Sequence, residues 1–211
     1  MKTETIDKNM IDPETMETEM MGTVTCAGYK SDARARLPER AGQAHLWFMV
    51  DSPVGPVFVA HSNGWVSGLL IPAAGRDTDP GRFEEYMLDQ VGVDVDHDRC
   101  PDSALTARIA GALAAGRCDV PLDLSSRSAF HQQVLRAAAR IPCGEVRTYA
   151  ELAAEVGRPN AARAVGTAMA RNPVPLLVPC HRVVPSSGGV GNYGFGSDLK
   201  AKLLANEGVT L

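Results

Sequence analysis

The chain has 211 residues, of which 45% are hydrophobic, and a formal net charge of −4. This length allows one large or two small domains, and the composition is that of an ordinary globular protein. The longest apolar runs fall far short of the roughly 20 residues that a membrane-spanning helix needs. The acidic N-terminus lacks the basic start and apolar centre of a signal peptide. We therefore expect no membrane partner and a cytoplasmic location, or a nuclear one if the source is eukaryotic.

The cysteines and histidines show no metal-binding pattern. No CxxC or HxxxH pair is present, so we expect neither a metal ion nor a cofactor. An odd number of irregularly spaced cysteines favours reduced thiols over a disulfide framework. The cysteines are Cys26, Cys100, Cys118, Cys143 and Cys180.

Charge is unevenly distributed along the chain. Residues 125–211 contain ten Lys/Arg and five Asp/Glu, a balance of +5, which leaves residues 1–124 with −9. Phosphate binding needs only a local basic face, so the C-terminal part is a candidate nucleic-acid-binding region. A chance split between two domains explains the same asymmetry.

The first half of the chain predicts an extension followed by a small domain. Residues 1–44 are charged and poor in apolar side chains, particularly after Lys30, which predicts a flexible extension. Three runs rich in Val, Phe, Trp and Leu, separated by Pro/Gly/Asn turns, then predict a small antiparallel sheet. Two amphipathic helices follow, the second ending at Gly116. We interpret residues 45–121 as an N-terminal α+β scaffold domain, and the predicted strands are 45–51, 56–61 and 65–71.

Residues 122–211 predict a mostly helical second domain that contains a helix-turn-helix. Thr148 and Glu151 form a capping box for a helix over 149–156, and Asn160 is placed to cap a second helix over 161–171. This pattern alone does not distinguish a DNA-binding unit from an ordinary helical hairpin. The fold class predicted for the whole chain is therefore α+β.

The second of these helices has an unusual exposed side. Ala161, Ala162, Ala164 and Gly166 are small, and Arg163 is the one large side chain among them. Small residues allow close approach to a groove, and a planar cation can replace a displaced base in the DNA stack. A plain alanine-rich helix with a solvated arginine fits the same residues.

A proline-rich stretch delivers a cysteine and a histidine side by side. Pro173, Pro175 and Pro179 exclude a helix interior or a central strand, which predicts a rigid extended segment that holds Cys180. A cysteine is a strong nucleophile only as the thiolate, and the adjacent His181 is a candidate base. The alternatives are a buried structural cysteine and, less favoured, a zinc ligand.

Several motifs together resemble the O6-alkylguanine-DNA alkyltransferases, also called methylated-DNA–protein-cysteine methyltransferases. The resemblance covers residues 45–211. It is carried by Asp51-Ser-Pro-Val-Gly-Pro56, Phe130, Ile141-Pro-Cys-Gly144, Thr148-Tyr149, Ala161-Ala-Arg-Ala-Val-Gly166, Asn172-Pro-Val-Pro175, Pro179-Cys-His-Arg-Val183, Gly191-Asn-Tyr193 and Glu207-Gly208.

The resemblance implies roles for five catalytic residues. Cys180 would accept the alkyl group from guanine O6, and His181 would take the thiol proton through a water. Glu207 would orient the imidazole, and Asn172 would brace the segment that joins the DNA-binding helix to the site. Tyr149 would help to rotate the nucleotide and donate a proton toward guanine N3.

The resemblance also implies a DNA face and a substrate pocket. Arg163 would fill the vacated stack in the minor groove, and the product thioether would limit each molecule to one reaction. The implied DNA-binding residues are Arg163, Ala161, Ala162, Tyr149, Thr148 and Arg171. The implied pocket residues are Val183, Pro175, Tyr193, Gly194 and Phe195. Where many relatives have Ser-Gly, this chain has Gly194-Phe195, and we hypothesise that Phe195 narrows the pocket in favour of methyl groups.

The expected function is direct reversal of DNA damage. The partner would be double-stranded DNA carrying O6-alkylguanine, chiefly O6-methylguanine and conceivably O4-methylthymine, bound with little sequence specificity by a monomer. A damage-binding protein of the same fold would lack the thiol, and a Cys-His hydrolase would need an oxyanion site. Cys180, His181 and Glu207 favour the methyltransferase over both.

Overall fold

The structure is a computed structural model that describes residues 44–72 and 79–211. The predicted extension falls outside these ranges apart from Ala44. Within them, no helix is long and apolar enough to cross a membrane.

The first part of the described chain forms a four-stranded mixed sheet. Its strands are β1 (His45–Ser52), β2 (Gly55–Ser62), β3 (Trp65–Leu70) and β4 (Val95–His97), in the order β3-β2-β1-β4. The first three are antiparallel neighbours, as predicted, whereas β4 pairs parallel to β1. The purely antiparallel prediction is wrong for this strand. The strand β4 has only three residues, and two of them are exposed. The sequence therefore shows no alternation of apolar and polar residues that would predict a strand there.

Both faces of the sheet are covered, which follows from the apolar residues on both sides of β2. Trp47, Phe58 and Ala60 pack against α1 (Pro80–Gln90). Phe48, Val57 and Val59 belong to the larger core, which includes α2 (Ser103–Ala115). Asp79 and Asp102 cap the N-termini of these two helices.

Four helices follow in the second part of the described chain. The capping box of Thr148 and Glu151 is confirmed, because each side chain accepts from the other residue's backbone N–H. The predicted cap at Asn160 is wrong, since the chain turns through residues 158–161 and Ala161 takes the N-cap position without a side-chain bond. The helices are α3 (Ala129–Ala138), α4 (Tyr149–Glu155), α5 (Ala162–Ala170) and α6 (Ser197–Asn206), and a two-residue parallel ladder joins β5 (Arg147–Thr148) to β6 (Val183–Val184).

The sheet is tied to the later helices through one hydrophobic core and three backbone hydrogen bonds. Val66 donates to the carbonyl of Pro121 at 2.9 Å and accepts from Asp123 at 2.8 Å. Leu69 donates to the carbonyl of Pro173 at 2.7 Å, at the start of the cysteine-bearing stretch. The α+β prediction is confirmed, and the division between residues 121 and 122 stays a prediction.

Candidate active site

The cysteine-bearing stretch is a tight turn followed by a 3₁₀ turn. Leu176 has a φ of 69° in the first turn, and Val178 donates to the carbonyl of Val174 at 2.9 Å. The 3₁₀ turn covers Cys180–Arg182, and Cys180 is only 6% exposed. The predicted extended segment is therefore wrong, because prolines that lack a donor also suit tight turns. That this stretch holds Cys180 rigidly stays a prediction.

Asn172 closes the first turn with its side chain. Its Nδ2 donates to the carbonyl of Val178 at 2.9 Å, and its Oδ1 accepts from the N–H of Val174 at 3.1 Å. The side chain thus satisfies buried backbone groups that no regular element pairs. Because Asn172 follows directly after α5, it links the position of that helix to the position of Cys180.

His181 and Glu207 form a close pair. His181 is 2% exposed, and its Nε2 lies 3.0 Å from Oε1 of Glu207, which takes the C-cap position of α6. The Nδ1 of His181 is buried without a hydrogen-bond partner among the described residues. Burial alone would raise the pKa of Glu207, but hydrogen bonds and charge from His181 and Arg182 outweigh it and lower that pKa to about 2. Glu207 is therefore a carboxylate at neutral pH.

Arg182 supports the carboxylate from its other side. It is 1% exposed, and it donates to Glu207 from Nε at 2.8 Å and from Nη2 at 2.7 Å. Its Nη1 and Nη2 also donate to the carbonyls of Ile141 and Gly116 at 2.7 and 2.6 Å. Because Arg182 is buried and donates to both oxygens of Glu207 and to two main-chain carbonyls, its guanidinium is held in one position.

The thiol opens into a cavity of about 630 Å³. A second cavity of about 340 Å³ shares Tyr149, Gly166 and Pro185 with the first and adds Arg163. The thiol and the exposed arginine of α5 therefore lie along neighbouring cavities. The larger one is lined by Tyr149, Gly166, Met169, Ala170, Cys180, Pro185, Gly191, Asn192, Tyr193 and Gly194.

The surroundings of Cys180 act on its charge in opposite directions. Burial raises the pKa of the thiol, whereas hydrogen bonding with Asn172 and Tyr193 and the charge of Lys200 act to lower it. Burial has the largest effect, so the thiol is protonated at neutral pH and a base is needed to activate it.

Lys200 is a site residue that the sequence interpretation missed. It is fully buried, and its Nζ donates to the carbonyl of Val183 at 2.7 Å. Burial lowers the pKa of Lys200, and the neighbouring Cys180 acts to raise it. The signal was available in the spacing, because Lys200, Leu203, Leu204 and Glu207 share one face of α6 at i, i+3, i+4 and i+7.

The predicted DNA-binding residues cluster around α4 and α5. Ala161 and Ala162 are half-buried, and Arg163 is exposed without an ion pair to any described residue. Thr148 caps α4, and Arg171 is exposed at the C-terminal end of α5. A Cβ on Gly166 would lie 3.9 Å from the ring of Tyr149, so the two helices approach closely there.

The predicted pocket residues divide into two groups. Tyr193 and Gly194 line the cavity beside Cys180, whereas Val183, Pro175 and Phe195 are not part of that lining. Val183 and Pro175 are buried beneath it, and the ring of Phe195 lies 5.5 Å from that of Tyr193.

The remaining cysteines and the acidic residues bear on metal binding and disulfide formation. In the described parts of the chain, no cluster of three or more His, Cys, Asp or Glu is arranged to hold a metal ion. Cys118, Cys143 and Cys180 are free. Cys100 is disulfide-bonded, so the expectation of reduced thiols is wrong for that residue.

Known proteins resemble this chain in both sequence and structure. Residues 129–209 match the profile described as the DNA-binding domain of 6-O-methylguanine DNA methyltransferase. The methylated-DNA–protein-cysteine methyltransferase of Mycobacterium tuberculosis is 38% identical over 165 residues, covering 75% of this chain and 89% of the relative. The human protein of that name is 55% identical over 83 residues, covering 39% of this chain and 40% of its own.

The structural comparison covers a similar part of the chain. A crystal structure of Mycobacterium tuberculosis OGT in complex with DNA matches with a TM-score of 0.61 at 34% identity, over 77% of this chain and 93% of that one. The similarity therefore includes both the sheet and the helices around Cys180. The chain belongs to the methylated-DNA–protein-cysteine methyltransferase family.

Proposed function

We propose that this protein repairs alkylated DNA by transferring the alkyl group of O6-alkylguanine, chiefly O6-methylguanine, to its own Cys180. The proposal rests on the buried free thiol of Cys180, which lines a cavity of about 630 Å³. The next residue in the sequence, His181, pairs with Glu207. Membership of the methyltransferase family supports the same reaction.

His181 is the base in this proposal. Its Nε2 is engaged by Glu207, which leaves the unpartnered Nδ1 as the atom that takes the thiol proton through a water. Glu207 stabilises the imidazolium that forms, because its low pKa keeps it anionic. The new thiolate attacks the alkyl carbon, a carbon–sulfur bond forms, and the bond to guanine O6 breaks with its electron pair left on the base.

Tyr149 assists the departure of the guanine. Burial and the neighbouring Cys180 raise the pKa of its phenol, so the phenol is a proton donor at neutral pH. Tyr149 lines both cavities, which supports a role for its phenol as the donor toward N3 of a guanine that has left the stack. The proton taken by His181 balances the one that the guanine gains, and the product is a stable thioether.

DNA binding follows from the α4–α5 unit. Small residues on α5 suit close approach to the minor groove, and Arg163 is exposed where it can fill the vacated stack. That face has no series of Asn, Gln and Arg to read base edges, so binding relies on phosphates with little sequence specificity. We infer a monomer in the compartment that holds the DNA, the cytoplasm of a bacterium or the nucleus of a eukaryote.

Intact mass measurement tests the proposal. After incubation with a duplex that contains O6-methylguanine, the protein is expected to gain the mass of one CH₂ group. Cys180→Ser is expected to bind the same duplex and gain nothing. Tight binding without a mass change in the unaltered protein would indicate a damage-binding protein, and repeated turnover would indicate a hydrolase.

A further inference from the structure

The C-terminal end of α2 reaches into the charged part of the site. Gly116 ends this helix with a φ of 60°, and its carbonyl accepts a hydrogen bond from Nη2 of Arg182 at 2.6 Å. The last carbonyls of a helix carry partial negative charge, which favours a cation at this point. A main-chain group from the sheet-bearing part of the chain is thus two hydrogen bonds away from Glu207.

The position of Glu207 depends on where the guanidinium of Arg182 is held. Two main-chain carbonyls, those of Gly116 and Ile141, accept from its two terminal nitrogens. The same planar group donates to both oxygens of Glu207, and one of these oxygens, Oε1, also pairs with His181. A shift of the guanidinium therefore moves the carboxylate relative to the imidazole.

We propose that Gly116 and Arg182 are positioning residues for alkyl transfer: the carbonyl at the end of α2 holds the guanidinium, which sets Glu207 against His181. This inference rests on the proposed function. It gives residues 45–121 a part in the reaction, whereas the sequence predicted only a scaffold there.

The position of Arg182 leaves no room for a Cβ atom on residue 116. A Cβ added there would lie 2.8 Å from Nη2 of Arg182, too close for an unshifted contact. The guanidinium ends a flexible side chain, but it cannot yield without lengthening its bonds to the carbonyls or to Glu207. Gly116→Ala therefore displaces the group that holds the carboxylate.

Gly92→Ala is the matched control. Gly92 also follows the end of a helix in the left-handed region, with a φ of 81°, and an added Cβ there would meet nothing within 4 Å. Both substitutions impose the same kind of backbone strain. Only the Cβ that Gly116→Ala adds would contact Arg182.

The experiment measures the single-turnover rate of methyl transfer from methylated duplex at several pH values. The final extent of transfer gives the active fraction, so the rate constant is independent of how much protein is folded. We expect Gly116→Ala to react about tenfold more slowly than Gly92→Ala at neutral pH. The deficit should shrink as the pH rises, because the thiol then ionises without help from the base.

A purely structural effect predicts a different result. Loss of folded protein would lower the extent and leave the rate constant unchanged at every pH. Other titratable groups lie near the linked side chains of Arg182, Glu207 and His181. They are Cys180 itself with its neighbours Tyr149, Tyr193 and Lys200, and Cys143, which lies beside Arg182. Both variants keep all of them, so the comparison cancels their contributions.

A double-mutant cycle separates this inference from its alternatives. If Gly116 acts through Glu207, adding Gly116→Ala to Glu207→Gln should slow transfer little further. Equal rates for the 116 and 92 variants, or full additivity with Glu207→Gln, would overturn the inference while leaving the proposed function intact. Failure of the unaltered protein to transfer methyl would overturn the proposed function itself.

Discussion

Glu207 accepts hydrogen bonds from two side chains of one 3₁₀ turn, His181 and Arg182. The two donors make different use of the same carboxylate. Arg182 is always charged and keeps Glu207 ionised, whereas His181 needs that negative charge when it takes the thiol proton. The buried cation and the base are therefore coupled through one residue.

This coupling predicts a pH-dependent loss of stability in Glu207→Gln. The pKa of Glu207 is lowered to about 2, so its stabilising effect is complete above the ordinary carboxyl pKa of about 4.3 and disappears as the pH falls through about 2. At pH 7 the variant leaves the buried Arg182 without its carboxylate partner, at a cost on the order of 3 kcal/mol. Urea unfolding across this pH range measures the difference.

Glu155→Gln is the control for that experiment. Glu155 pairs with Arg140 at 2.7 Å, but both side chains are largely exposed, so its loss should cost under about 0.5 kcal/mol. The destabilisation of Glu207→Gln should diminish toward pH 2. A difference that stayed constant with pH would contradict the ionised, doubly bonded carboxylate.

Phe195 provides a prediction about substrate size. Its ring contacts Tyr193, which lines the thiol cavity, so it acts on the pocket through that neighbour. In Phe195→Ala the Tyr193 ring gains room, and the ratio of benzyl to methyl transfer rates should rise about tenfold. The methyl rate in the same variant is the internal control. Equal methyl and benzyl transfer rates in the unaltered protein would contradict the hypothesis that Phe195 narrows the pocket in favour of methyl groups.

At the scale of elements, α5 connects the proposed DNA-binding face to the surroundings of the thiol. Its exposed side carries Arg163, its inner side packs in the core, and Asn172, which follows its C-cap residue, bonds the turn before Cys180 through its side chain. Asn172 therefore connects the C-terminal end of α5 to the turn that precedes Cys180.

Arg163→Ala should slow transfer from duplex DNA about tenfold, because the side chain offsets part of a flipping cost of a few kcal/mol. Transfer from the free base O6-methylguanine should be unchanged, since no stack is vacated. Arg158→Ala removes an exposed charge from the turn before α5 without touching the cavity, and it serves as the control. An equal fall in the transfer rate of both variants would show that the positive charge accounts for the effect, and not the insertion of Arg163 into the DNA stack.

Local chemistry in the sequence predicted some elements well. The capping box at Thr148 and the glycine end of α2 depend on neighbouring residues only, and each is observed. The strand β4 and the turn around Leu176 depend on pairing and packing from distant parts of the chain. No local pattern encodes those contacts.

At the scale of the whole molecule, the site combines residues from the middle of the chain, such as Gly116, with residues near its C-terminus, such as Glu207. The residues around the prolines pointed to Cys180 and His181, and the family resemblance added Glu207. In the structure, Nε2 of His181 lies 3.0 Å from Oε1 of Glu207. The sequence did not reveal that Lys200 is buried beside the thiol or that Gly116 reaches Arg182. Both depend on which face of a helix meets the core.

The uneven charge has a structural counterpart. Residues 1–124 have an acidic balance of −9 and residues 125–211 a basic balance of +5, so the helices proposed to contact DNA lie in the basic part of the chain. A negative net charge is therefore compatible with phosphate binding by one face.

The most direct test of the central claim is the stoichiometry and location of methyl transfer. Excess duplex that carries O6-methylguanine is incubated with the protein, and the digested peptides are analysed by mass. Transfer should stop at one methyl group per molecule, held on the peptide that contains Cys180. Methylation at the exposed Cys143 instead, or repair of more than one lesion per molecule, would contradict the account.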